Sequence, residues 1–276
     1  GLRSSQGRVP LGDAAAPGAG TLSVRGPMAR RIRDVAAALD AVVGPDTRDI
    51  YSHPSPDVSW ADALVDVAPP TKVAFSPTMG FATVDDDVAT AVGAAVAALA
   101  DAGTEVREVD SVFSEDPVLP WLYIWTASRA RAQGHLKGTD DWERIDADLR
   151  PQIEMGLSLA AVQYAEALDA CHDINLALEV AMGDADVLIC PTIAGHAPVL
   201  GRQGTVDGVE SPTWVAFTPF LNMSRNPGAS VPVGLTPDGL PIGLQVIGRQ
   251  LDDVGVLRAA AAIEDLVGFD HTPPLA

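Results

Sequence analysis

Lysine is nearly absent from this chain. Lys72 and Lys137 are its only two in 276 residues, so a lysine general base has almost nowhere to stand. Histidine is also scarce: His53, His135, His172, His196 and His271 lie far apart, and no two share a metal-ligand spacing. The two cysteines, Cys171 and Cys190, each fall inside an apolar pattern and are expected to be buried free thiols of a reducing, cytoplasmic compartment. Apolar runs never approach the roughly 20 residues of a membrane span, so no membrane partner is expected. Basic residues number 18 against 37 acidic ones, a net charge of -19, which argues against nucleic acid or an anionic membrane as a partner. Four sequence signatures are missing: a nucleophile elbow of the form G-x-S-x-G, a zinc-binding H-E-x-x-H, a phosphate loop and a dinucleotide-binding G-x-G-x-x-G. No cofactor or metal is expected.

What is present is an alternation of strand-like and helix-like segments. Helices are expected from Pro27 to Val43, from Asp85 to Gly103, and from Asp252 to Gly268, with Asp85, Asp86 and Asp87 capping the second. Short apolar strands are expected at Val73–Ser76, Glu105–Val109, Val187–Cys190, Ala229–Val233 and Ile242–Ile247, the last two joined by a turn at Thr236–Gly239. Residues 119–182 read as helical, with breaks near 134–140 and at Arg150–Pro151. The stretch from Thr192 to Pro212 reads as one long loop, and long loops over a rigid scaffold tend to carry sites. This alternation predicts an α/β fold, a mixed, mostly parallel sheet covered by helices on both faces. No composition break divides the chain, so residues 1–276 are expected to belong to one domain.

Six stretches, in order, resemble the amidase signature family of serine–cis-serine–lysine amide hydrolases. GLRSSQGRV at 1–9 is similar to the tail of the signature, and TLSVRGPMAR at 21–30 to the family's T-x-S-x-x-G-P-M-A-R. GPDTRD at 44–49, KVAFS at 72–76 and DADVLICPT at 184–192 follow. The last landmark joins residues 222–233 to GLPIGLQVIGR at 239–249. Residues 113–182 carry little of the pattern, and are read as a variable helical region and a lid over the substrate pocket. Two positions depart from it: Arg225 stands where the family usually has Gly, and Phe220 where it usually has Pro.

The resemblance implies hydrolysis of a C–N bond in a carboxamide, anilide or carbamate through a serine acyl-enzyme. It places the catalytic triad on a segment upstream of Gly1, so no catalytic residue is expected within this chain. The implied partners are that N-terminal segment and a small-molecule amide or carbamate. Ser4 and Ser5 fall at structural positions of the signature. The alternative function is a non-catalytic subunit or pseudo-enzyme of the same fold, acting as a binding or scaffold protein. Substrate-contacting candidates are Trp121 and Trp125, four apart and so on one helix face, together with Pro191, Thr192, Ile193, Phe217, Thr218 and Asn222 from two family loops. Each has a competing structural reading, the tryptophans as core and the loop residues as ties between backbone segments.

Overall fold

A computed structural model describes residues 1–12, 20–270 and 272; His271 lies outside the described residues. Its elements in chain order are β1 (Leu2–Arg3), α1 (Ile32–Val42), β2 (Lys72–Phe75), α2 (Asp86–Asp101), β3 (Glu105–Glu108), α3 (Val118–Gln133), α4 (Leu149–Ser158), α5 (Ala161–Met182), β4 (Val187–Pro191), β5 (Thr205–Val206), β6 (Val209–Glu210), α6 (Pro219–Ser224), β7 (Gly228–Leu235), β8 (Pro241–Ile247) and α7 (Asp253–Val267). Short one-turn helices lie between several of them.

The main sheet has the order β1-β7-β8-β4-β2-β3. β2 pairs in parallel with β3 and β4, whereas β8 runs antiparallel to β4 and β7, and β1 antiparallel to β7. The strands β2, β3, β4 and β7 therefore point one way, with β8 and β1 reversed. This is the mixed, mostly parallel α/β sheet expected from the alternation of elements.

Strand periodicity sorts the side chains into two cores. From β4, Val187 and Ile189 join Val73, Leu244 and Val246 under α1, α2 and α7. Leu188 and Cys190 join Ala74 and Ile247 under α3, α5 and α6. β4 is buried at every position, as a strand covered on both faces must be.

The helices differ from expectation in ways with clear causes. α1 begins at Ile32 and not at Pro27, because residues before it are held extended: Leu2 donates its N–H to the Pro27 carbonyl (3.1 Å), and Arg31 is extended with φ -118°. Gly26 explains the glycine of that motif, since a Cβ there would sit 1.9 Å from the Leu2 carbonyl oxygen. Gly26→Ala must push the two backbones apart, and is expected to cost about 1–3 kcal/mol by urea denaturation. Pro151 does not break a helix; it lies in the first turn of α4, where its missing N–H has no partner to lose. The stretch from Thr192 to Pro212 is not structureless either. It contains the hairpin β5–β6, turned by Asp207 and Gly208 at φ 53° and 71°.

Candidate functional site

The loop after α6 brings two guanidinium groups together. Arg3 on β1 is enclosed: Nε donates to Asn222 Oδ1 (3.1 Å), Nη1 donates to the Ser4 and Asn226 carbonyls, and Nη2 is buried with no partner among the described residues. Burial, opposed by Asp253 and reinforced by neighbouring Arg225, lowers its pKa to about 10. Arg225 caps α6 in the left-handed conformation (φ 68°), the region that favours glycine. Its backbone N–H donates to the Leu221 carbonyl (3.0 Å), but its guanidinium makes no hydrogen bond or ion pair among the described residues. The loop beneath it is tied down by Gln250, whose Nε2 donates to Ser224 O, Asn175 Oδ1 and Asn226 Oδ1, and by Asn226 Nδ2 donating to Gly248 O.

Arg225 opens into a cavity of about 610 Å³ walled by α5, the end of α6, Thr21 and Tyr51. Tyr164, Leu168, Cys171, His172 and Asn175 come from α5, and no Asp or Glu is among the lining residues. A second hollow, of about 530 Å³, lies between residues 112–120 and α5, where burial raises the Asp116 carboxyl above its ordinary value.

The candidate residues from the sequence fall in several places. Trp121 and Trp125 stack at 5.4 Å on α3, and the Arg129 guanidinium lies 4.4 Å from the Trp125 ring centroid. Trp125 Nε1 donates to Gln152 Oε1 of α4 (2.6 Å), while Trp121 Nε1 is buried without a partner among the described residues. Pro191 ends β4. Thr192 follows it, with Oγ1 2.7 Å from Ser230 Oγ across the sheet. Ile193 lines a small crevice with His196 and Thr236. Phe217 is fully buried, and its carbonyl accepts from Gln245 Nε2 (3.1 Å). Thr218 caps α6 and donates Oγ1–H to the Val215 carbonyl, and Asn222 holds Arg3. The structure thus gathers Thr218 and Asn222 at α6, keeps the tryptophans together on α3, and places none of the eight in the wall beside Arg225. Arg225 was visible in the sequence only as a departure from a family pattern; Arg3 carried no signal of its own.

Other chemistry is tied up in structure. Ser4 Oγ–H donates to the Arg25 carbonyl, and the Ser5 N–H donates to buried Asp253. Lys72 pairs with Asp184 (2.5 Å) and Glu105 (3.7 Å). Contrary to expectation, Asp85 does not cap α2 through its side chain; Oδ1 accepts instead from the Asp207 N–H (2.5 Å), because the β5–β6 turn packs against it. His196 Nε2 lies 2.7 Å from Asp87 Oδ2 and 3.7 Å from Asp85 Oδ2, the one cluster among the described residues with metal-ligand atoms in reach of one another. Its hydrogen bond accounts for it as a tie between the loop and the start of α2. Burial pushes the Cys190 thiol up to about 12. Iodoacetamide should therefore leave Cys190 unmodified in the native protein and label it on unfolding, as peptide mass mapping would show.

The family model described as Amidase matches residues 1–257. An acylamidase of Rhodococcus erythropolis is 31% identical over 250 residues, covering 87% of this chain and 51% of its own. A glutamyl-tRNA(Gln) amidotransferase subunit from Sphingopyxis alaskensis is 29% identical over 276 residues, covering 91% and 56%. Among solved structures, a bacterial aryl acylamidase of the amidase signature family superposes with a TM-score of 0.84 at 25% identity, covering 96% of this chain and 58% of that one. The chain spans about half the length of the curated relatives it matches. No described helix is long and apolar enough to cross a membrane. With the family model spanning nearly the whole sequence and its motifs seated in the matching fold, the chain belongs to the amidase family of C–N bond hydrolases.

Proposed function

We propose that this chain supplies the sheet and the pocket wall of a hydrolase that cleaves a carboxamide, anilide or carbamate, with the nucleophilic serine carried by polypeptide outside residues 1–276. One observation carries the reading: among the described residues, no Ser, Thr or Cys side chain hydrogen-bonds to a Lys or His, so the family's chemistry has no nucleophile–base pair here. The resemblance supplies the rest. A lysine and a bridging serine draw the proton from the nucleophile, which attacks the carbonyl. Backbone N–H groups hold the oxyanion, the amine leaves, and water releases the acid. This chain's contribution is positional. The tie from Arg3 to Asn222 fixes the α6 loop against β1, where the signature tail lies. The start of α3 and the middle of α5 flank the hollow at residues 112–120, and the Trp121–Trp125 stack further along α3 is assigned as an apolar surface for an aryl group.

The test is hydrolysis of 4-nitroanilides by residues 1–276 alone and by the complete enzyme. Turnover is expected only from the complete enzyme. Turnover by this chain alone, abolished by changing one of its own residues, would overturn the assignment.

A further inference from the structure

Arg225 is anomalous in three independent ways. It holds a left-handed backbone conformation that costs any side chain other than glycine, and its guanidinium makes no hydrogen bond or ion pair among the described residues to offset that cost. It is half-buried and lines a cavity with no Asp or Glu among its described lining residues, in a chain with 37 acids and 18 bases. It also stands close enough to a second cation, Arg3, to lower that group's pKa; the carboxylate acting on Arg3, Asp253, is engaged by Ser5 N–H and Arg8. An arginine kept at an unfavourable backbone angle, beside another arginine and facing a hollow without acids, has no ion-pair partner among the described residues.

We propose that Arg225 is a specificity-determining residue that binds a carboxylate on the substrate, so that the amide cleaved carries an acid group distant from the scissile bond. The proposal rests on the hydrolase reading above and narrows its substrate class. The planar guanidinium offers paired N–H donors that match a carboxylate. Neighbouring donors suit the same ligand: Asn175, whose Oδ1 is taken by Gln250, keeps its Nδ2 hydrogens free, and the Tyr164 hydroxyl has no protein partner among the described residues. One arginine with neutral donors around it fits a monoanion; besides Arg225, His172 is the only basic side chain in the described lining. Leu168 and Tyr51 give an apolar surface for the carbon chain between acid and amide.

The experiment uses the complete enzyme and its R225G and R225Q variants. Gly suits the left-handed angle, so R225G keeps the fold, and R225Q removes the charge while keeping the bulk. Hydrolysis of succinyl-4-nitroanilide and of near-isosteric, neutral butyryl-4-nitroanilide is measured alongside calorimetric binding of 4-phenylbutyrate and 4-phenyl-1-butanol. In the parent enzyme the carboxylate member of each pair is expected to be favoured by about tenfold or more, in kcat/KM and in Kd, and the preference is expected to vanish in both variants. If neither anilide is hydrolysed while 4-phenylbutyrate binds in an Arg225-dependent way, the anion site stands and the hydrolase reading falls. If both anilides are hydrolysed without an Arg225-dependent carboxylate preference, the proposal is overturned and the hydrolase reading stands.

Discussion

Replacing Asp253 with Ala is expected to destabilise the complete enzyme by about 3–5 kcal/mol, read as a lower denaturant midpoint at an unchanged slope. Asp253 is fully buried at the start of α7. Oδ1 accepts the Ser5 N–H at 2.6 Å, and Oδ2 lies 3.1 Å from Arg8 Nε. The carboxylate therefore fastens the signature tail at 1–9 to the last helix, across 248 residues of sequence. Its removal leaves a buried N–H without an acceptor and the Arg8 guanidinium, only 12% exposed, without its counter-charge. Asp253→Asn keeps an acceptor for Ser5 and is expected to cost markedly less. Equal losses for the two variants would show that shape, rather than charge and hydrogen bonding, is what Asp253 contributes.

Trp125→Ala is expected to cost about 3 kcal/mol, the lower end for a truncated tryptophan, because part of its ring is not buried. The residue stands in a stack of Trp121, Trp125 and Arg129, four apart on α3, and its indole N–H holds α4 through Gln152. Truncation removes a ring contact, a cation–π contact and the hydrogen bond between helices. Kinetics separate this from a wall of the pocket. A structural residue lowers the amount of active enzyme for every substrate alike. A wall residue raises KM for bulky aryl amides and spares small ones. A thermal melt beside assays on one large and one small amide decides between the two.

The residues explain what could be read from the sequence. β4 and α7 were legible because a run such as VLIC, or an apolar stripe between Asp252 and Gly268, is dictated by local pattern. The fold class followed from the alternation of such segments. β1 was not legible: two residues have no period, and they form a strand only because β7 lies beside them. The start of α1 was misplaced because Pro27 at a helix start is a local preference, overridden by the backbone contact that Gly26 permits. The hairpin at 205–210 left a signal, an Asp-Gly pair at 207–208, hidden inside a stretch read as loop. The site was least legible. Arg225 differs from its neighbours in no local pattern; its lack of an ion-pair partner among the described residues emerges only when α5, α6 and β1 are packed together.

Above all, this chain is proposed to shape a pocket around a nucleophile it does not contain. Covalent labelling of the complete enzyme with a fluorophosphonate, followed by peptide mass mapping, tests that division of labour most directly. The expected result is a single labelled serine outside residues 1–276, with anilide hydrolysis lost in step with incorporation of the label. A labelled residue within 1–276, or an enzyme that resists labelling altogether, would contradict it.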